Sequence, residues 1–188
     1  AGITTYSPLK HWNAGPGKKV AIVGMGGLGH LAVQFAHALG AEVTVLSRSM
    51  NKKDEALEFG ADHYFATSDP DTFTELAGRF DLILNTVSAN LDVDAYLSLL
   101  RIDGTLVNVG APAKPDSYSV FSLITGRRSI AGSLVGGIPQ TQEMLDFASE
   151  HGIAPKIEVI PANQVDEAYE RVLQSDVRYR FVIDNATL

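Results

Sequence analysis

The sequence predicts an α/β protein: a doubly wound parallel sheet of six strands, followed by a short β-α-β appendage at the C-terminal end. Three observations lead there. Apolar runs of strand length alternate with stretches of helical periodicity along most of the chain. One glycine-rich turn sits directly between a strand and a helix. The length, 188 residues, accommodates one domain of about 150 residues and a remainder.

Each element has its own signal. Residues 1–12 read as a leading helix. The turn Gly15-Pro16-Gly17 opens the first strand, residues 19–24, whose run Val20-Ala21-Ile22-Val23 is apolar throughout, as a buried parallel strand should be. Leu28, Leu31, Ala32, Phe35 and Leu39 then recur at helical spacing, and Gly40 marks the helix end. Residues 42–47 form a second strand, 51–59 a helix stopped by Gly60, 63–66 a short third strand and 81–85 a fourth. A helix over 91–100 leads to a fifth strand at 105–109. The stretch 110–119, with Pro112 and Pro115, is a loop before a sixth strand at 129–134. Acidic residues in 143–150 and 166–170 read as solvent faces of helices. The tail differs: strand 156–160, helix 162–175 and strand 179–183 form a unit of their own rather than a further turn of the same winding. Division into 1–154 and 155–188 follows. Parallel strands joined by right-handed crossovers, six in number, make the Rossmann arrangement.

Composition narrows the partners. Hydrophobic residues make up 45% and charged residues 20%, so the chain is neither disordered nor collagen-like. The formal net charge of -7 gives no electrostatic reason to expect nucleic-acid binding. No apolar run approaches the ~18 residues of a membrane span. Cysteine is absent, which removes disulfides, thiol nucleophiles and cysteine-ligated zinc sites. With no signal-peptide pattern at Ala1-Gly2-Ile3-Thr4-Thr5-Tyr6, a cytoplasmic location is expected.

Gly24-Met25-Gly26-Gly27-Leu28-Gly29 carries the chemistry. It fits G-x-G-x-x-G in the strand-to-helix context that gives that pattern meaning. Gly24 permits the tight turn off the strand, Gly26 lets a pyrophosphate approach the backbone, and Gly29 lets helix and strand pack closely. The helix N-terminus adds free N–H groups and positive partial charge. A glycine-rich turn without a ligand is the alternative; a phosphate loop of the Gly-Lys-Ser/Thr kind is absent. At the end of the second strand, where an NAD enzyme places an acid for the ribose 2′-hydroxyl, stands Ser47-Arg48-Ser49-Met50-Asn51-Lys52. Hydroxyls, a guanidinium and an ammonium suit a 2′-phosphate, so NADP(H) is expected over NAD(H). Ligands of open α/β sheets bind at the carboxyl ends of strands. That rule nominates Thr86 and Val87, Gly110 and Ala111, and Ser133, Leu134 and Val135 around the nicotinamide half.

Other candidates carry less. Tyr6 and Lys10 mimic a Tyr-x-x-x-Lys catalytic pair but precede the glycine turn and enclose Pro8. His11, His30, His37, His63 and His151 form no zinc pair at i, i+4; His30 and His37 share a helix face and read as packing or solvated. No catalytic residue and no metal ligand is assigned.

The chain resembles the medium-chain zinc alcohol dehydrogenases, in their NADP-dependent, cinnamyl alcohol dehydrogenase-like branch. The resemblance covers nearly the whole chain and rests on Ala1-Gly-Ile-Thr-Thr-Tyr-Ser-Pro-Leu9, the glycine turn, Gly60-Ala-Asp-His63, Tyr96-Leu-Ser-Leu-Leu100, Gly132-Ser133 and Val177-Arg-Tyr-Arg-Phe-Val-Ile-Asp184. It implies that Thr4 touches the nicotinamide end, residues 24–29 the pyrophosphate, and Ser47, Arg48 and Lys52 the 2′-phosphate. Thr86, Gly110, Ser133, Leu134 and Val135 would complete the cleft. Arg48 departs from relatives that carry a second serine, adding charge for the phosphate. The family's zinc ligands lie mostly in an N-terminal domain that this chain does not contain, so zinc is expected only in the intact enzyme. Residues 155–188 would return to pack on that domain. The resemblance further implies a hydride exchange with an alcohol or aldehyde, and a homodimer formed through the sixth-strand edge. A non-catalytic nucleotide-binding module is the competing reading; a zinc-free quinone reductase relative fits the opening segment less well.

Overall fold

The run Val20, Ala21, Ile22 and Val23 lies at the middle of a six-stranded parallel sheet, with each residue almost fully buried, in the computed structural model, which describes residues 1–188. The chain divides into two units, Ala1–Ile153 and Ala154–Leu188.

In the first unit, α1 (Gly2–His11) precedes β1 (Lys19–Val23), α2 (Gly29–Ala38) and β2 (Glu42–Ser47). A 3₁₀ turn, Met50–Lys52, then enters α3 (Lys53–Glu58). There follow β3 (His63–Ala66), α4 (Asp71–Glu75), β4 (Phe80–Asn85), α5 (Val93–Ser98) and β5 (Leu100–Asn108). The unit ends with α6 (Val120–Ile124), β6 (Ser129–Gly132) and α7 (Ile138–Glu150). The sheet order is β3-β2-β1-β4-β5-β6, every neighbouring pair parallel. The winding therefore reverses between β1 and β4, and a crevice opens there at the strands' carboxyl ends.

Successive strand side chains point to opposite faces, so the sheet carries two cores. On one face Ala21, Val23, Leu46, Ile83 and Leu106 meet Leu76, Val93, Tyr96 and Leu97 from the α4–α5 region. Phe73 stacks edge-on against Tyr96 at 5.3 Å. Elsewhere α1 packs on α2 and α7, and Tyr6 meets Phe35 edge-on at 5.3 Å and Phe147 at 5.4 Å. A fully buried Leu or Phe of this kind contributes about 1.5–3 kcal/mol. At the amino ends of the strands, Asp81 accepts from the Lys19 N–H (2.9 Å) and pairs with Lys18 and Arg101.

The second unit is a parallel pair, β7 (Ile157–Pro161) and β8 (Arg180–Asp184), joined through a 3₁₀ turn and α8 (Val165–Leu173). Ile160, Ala168 and Tyr179 are buried, and Arg171 pairs with Glu158 at 2.8 Å while lying over the Phe181 ring.

Several boundaries differ from the sequence reading. The fifth strand begins at Leu100 rather than 105, because the preceding helix ends at Ser98 and the backbone turns straight into the sheet beside Phe80. Arg101, Ile102 and Asp103 in that stretch are exposed and gave no apolar run. The sixth strand stops at Gly132, so Ser133 and Leu134 lie past its end. Two one-turn helices, α4 and α6, are too short to generate a period, and α8 starts at Val165 after its 3₁₀ turn.

Candidate functional site

At the carboxyl end of β1 the chain needs a left-handed residue, and Gly24 supplies it with φ +92°. A Cβ there would also sit 2.7 Å from the Val87 side chain and 2.9 Å from the Thr86 hydroxyl. A Cβ on Gly29 would lie 1.9 Å from the Gly24 carbonyl oxygen, so α2 starts closer to the strand than any other residue permits. Around Gly26, by contrast, a Cβ would meet nothing within 4 Å. Two glycines are thus required by the protein's own packing, and the third leaves backbone open above the start of α2. Met25 is buried; Gly27 and Leu28 are half-buried.

His30, in the first turn of α2, is fully buried, with Nδ1 3.0 Å from the Gly26 carbonyl. It braces the turn from below, in keeping with a packing role; His37 is exposed.

Beside this turn, β4 ends in Asn85, Thr86 and Val87. The Thr86 hydroxyl and N–H both donate to the Val23 carbonyl, at 2.7 and 3.0 Å, tying β4 to β1 across the crevice. Asn85 is buried, and its side chain does two things at once. Its Oδ1 accepts from the Val87 N–H at 3.0 Å, and its Nδ2 donates to Asn108 Oδ1 at 2.9 Å. Its carbonyl takes the N–H groups of Val109 and Gly110, and the Asn108 carbonyl takes that of Ser133. A Cβ on Gly110 would fall 2.2 Å from the Val87 carbonyl oxygen. Gly24, Gly29, Thr86, Val87 and Gly110 are therefore one packed group, and hydrogen bonds carry it through Asn85 and Asn108 to Ser133. Ala111, Leu134 and Val135 are exposed beyond it. The turn after Val135 packs on α1: a Cβ on Gly136 would meet Ile3 at 2.6 Å, one residue from Thr4. Pro8 has no N–H for the Thr4 carbonyl, so that helical bond is missing next to the cleft. An open cleft of about 440 Å³ lies outside Ser133, against Ser7, Lys10, His11 and Trp12 of the α1 end and Gln140.

The loop after β2 holds the basic group. Arg48 and Ser49 are exposed, and Ser47 is half-buried. Lys52 reaches back to the Met25 carbonyl at 2.9 Å, joining this loop to the glycine turn. Tyr64 of β3 donates its hydroxyl to the Ser49 carbonyl at 2.7 Å.

Tyr6 and Lys10, spaced like a Tyr-x-x-x-Lys pair, share one carboxylate. The Tyr6 hydroxyl donates to Glu143 at 2.8 Å, and Lys10 approaches the same oxygen at 3.3 Å. Burial, then the bond to Glu143, pushes the Tyr6 phenol far above its ordinary value, while Tyr6 and Lys10 hold Glu143 below the usual carboxylate range. The group is a brace between α1 and α7. Sequence reading missed Asn85, Asn108 and Tyr64. The pairing of Asn85 with Asn108 in the parallel register was the one signal available for the first two.

With cysteine absent and no three His, Asp or Glu side chains grouped to hold an ion, these residues do not fit a resident zinc. No helix is long and apolar enough to cross a membrane.

Comparison with known proteins agrees with the geometry. The family described as "Zinc-binding dehydrogenase" matches residues 27–150. The probable formaldehyde dehydrogenase AdhA of Bacillus subtilis is 87% identical over all 188 residues, which cover 54% of it. Among solved structures, a cinnamyl alcohol dehydrogenase of Sorghum bicolor superposes with a TM-score of 0.95 at 45% identity, over 98% of this chain and 53% of that one. CAD from Helicobacter pylori, complexed with NADP(H), superposes at 0.88 and 42% identity, over 97% and 52%. The chain thus spans about half the length of the curated relatives it matches. A Rossmann sheet, a glycine turn built for close approach, and a match over most of the first unit place this chain in the zinc-binding dehydrogenase family.

Proposed function

We propose that this chain binds NADP(H) along the carboxyl ends of its strands, as the cofactor-holding part of an alcohol or aldehyde oxidoreductase. The observation that carries the reading is one shared edge. It holds a glycine turn with open space at Gly26 and, tied to it by Lys52, a loop of serines, Arg48 and no acid. The pyrophosphate lies over Gly24, Met25, Gly26, Gly27, Leu28 and Gly29. Ser47, Arg48, Ser49 and Lys52 take the 2′-phosphate. The nicotinamide extends past Thr86, Val87, Gly110 and Ala111 toward Ser133, Leu134, Val135 and Thr4. The NADP(H) complex of the Helicobacter pylori relative supports this reading. Titration calorimetry tests it: NADPH binds more tightly than NADH, and equal affinities overturn the preference.

In this reading the chain's residues bind and orient the nicotinamide for hydride exchange with an alcohol or aldehyde. Zinc belongs to parts of the intact enzyme outside these 188 residues. The chain alone is expected to bind cofactor without oxidising NADPH in the presence of aromatic or aliphatic aldehydes. Robust zinc-dependent turnover by it would refute this. Residues 155–188 are read as a return segment for a catalytic domain, supported by exposed Val159, Tyr169, Leu173 and Leu188. A cytoplasmic setting is part of the same proposed reading.

The same reading includes a homodimer through the β6 edge. β6 ends the sheet, and Ile102, Phe121, Ile124, Leu134 and Ile138 are all more than 60% exposed. An open edge flanked by apolar side chains is stabilised by pairing. Sedimentation of the wild type and of Phe121→Ser with Ile138→Ser tests this. A stable wild-type monomer at micromolar concentration would count against it.

A further inference from the structure

We infer that Tyr64 sets the preference for a 2′-phosphorylated dinucleotide, by positioning the loop 47–52; the inference rests on the cofactor reading above. A loop that receives phosphate must turn donors toward it and carbonyl oxygens away, because each carbonyl oxygen carries partial negative charge. Three consecutive carbonyls, those of Ser47, Arg48 and Ser49, are in question here. All three are taken from within the protein. The Thr67 N–H donates to Ser47 at 2.8 Å, the Ser68 N–H to Arg48 at 3.3 Å, and the Tyr64 hydroxyl to Ser49 at 2.7 Å.

The first two bonds come from backbone N–H groups just past β3, beside the parallel ladder, and almost any sequence would supply them. The third comes from a side chain and depends on residue type. It also falls at the pivot of the loop. Ser49 is extended, with φ -138° and ψ 169°, and the 3₁₀ turn Met50–Lys52 begins at the next residue. The direction of the Ser49 carbonyl therefore decides which way the donors of Ser47 to Ser49 face, while Lys52 is held separately by the Met25 carbonyl, 2.9 Å away. The Tyr64 ring is almost fully buried, so its hydroxyl is delivered from a fixed anchor. Removing that hydroxyl leaves the Ser49 carbonyl, the N-cap of the 3₁₀ turn, with only the turn's own N–H as donor, so it can tilt toward the space a phosphate would occupy. Tyr64 is thus a positioning residue: it acts through the loop's donors.

The test is Tyr64→Phe, which keeps the ring and deletes one oxygen. Binding of four ligands is measured by calorimetry on the full chain: NADPH, NADH, 2′,5′-ADP and 5′-AMP. Affinity for NADPH and 2′,5′-ADP falls by about three- to tenfold, the range for loss of one neutral hydrogen bond. Affinity for NADH and 5′-AMP stays at the wild-type value, which also shows that the variant folds. A purely structural role would weaken all four ligands alike, and that result overturns the inference, as does no change in any. If the wild type itself fails to prefer NADPH over NADH, the cofactor reading is what fails, and the inference falls with it.

Discussion

On the β1–β2–β3 side of the crevice, every β1 residue after Lys19 and the four central residues of β2 are buried, and the turns between strands are closed by the protein's own hydrogen bonds. On the β4–β5–β6 side, burial is nearly complete in β4, intermittent in β5, and lost in β6, none of whose four residues is buried. The segment beyond β6 leaves Leu134, Val135 and Ile138 facing outward. The half assigned to adenosine phosphate is finished by local contacts. The half assigned to nicotinamide is finished only as far as Ser133, and the apolar side chains beyond it stay exposed. Binding the adenosine end should therefore depend on few residues acting strongly, and binding the nicotinamide end on a chain of weaker supports.

The comparison breaks most severely at Gly29. Gly29→Ala puts a methyl group 1.9 Å from the Gly24 oxygen and forces α2 off β1. Stability falls by about 3 kcal/mol or more, and NADPH binding is lost. Denaturant unfolding at the wild-type midpoint would contradict this. Arg48→Ala comes next. It weakens NADPH by about 1–3 kcal/mol, as for a charged hydrogen bond, and leaves NADH almost unchanged in the same calorimetric comparison. On the other side, Asn85→Leu removes an acceptor for the Val87 N–H and a donor to Asn108. A loss of about 1–2 kcal/mol in NADPH affinity is expected, while 2′,5′-ADP, which lacks the nicotinamide, binds as before. Equal weakening of both ligands would mean that the two halves are not separable.

The smallest effect is one of pH. The hydrogen bond from Arg79 lowers the Glu42 pKa, helped by Lys19 and His63 nearby, though partial burial opposes it. A carboxylate whose folded pKa lies below its unfolded value adds stability above the unfolded value. That stability is lost as pH falls through the folded one. The wild type should thus lose stability at the acid end of the carboxylate range, and Glu42→Gln should have a flatter acid limb. Because Glu42 is partly exposed, solvent screens the pair and the difference is small. Superimposable thermal midpoints from pH 3 to 7 would remove it, on the carboxylate range of about 3–5.

The adenosine side was also the more legible in sequence. Val20 to Val23 is an unbroken apolar run, and Val43 to Leu46 is interrupted only by the buried Thr44, because both faces of those strands are covered. The glycines announced their turn because packing at Gly24 and Gly29 excludes a side chain. Elsewhere the signal faded with the burial. β5 carries exposed Arg101, Ile102 and Asp103 in its first half, so its start was placed five residues late. The one-turn helices α4 and α6 repeat nothing that a period could reveal. Among the residues proposed for the site, those that would contribute backbone or charge were legible in sequence. Those acting sideways were not: Asn85 meets Asn108 only through sheet register, and Tyr64 meets Ser49 only because β3 lies beside β2. Glu143 was read as helix surface. It is exposed, yet it holds both Tyr6 and Lys10 across 137 and 133 positions of sequence (143 − 6 and 143 − 10).

In the proposed reading, the bond from Lys52 to the Met25 carbonyl links the two phosphate subsites thermodynamically. One ammonium joins the basic loop to the glycine turn, so an anion bound at either is expected to change the field and the geometry at the other. The two halves of the adenosine moiety should then bind non-additively, and the linkage free energy is measurable as the departure of a double-ligand cycle from a simple sum. It also divides the basic loop for anyone seeking to retarget the protein to the unphosphorylated dinucleotide. Exchange at Arg48 alters selectivity alone. Exchange at Lys52 slackens the pyrophosphate turn as well and penalises every dinucleotide, whichever one is wanted.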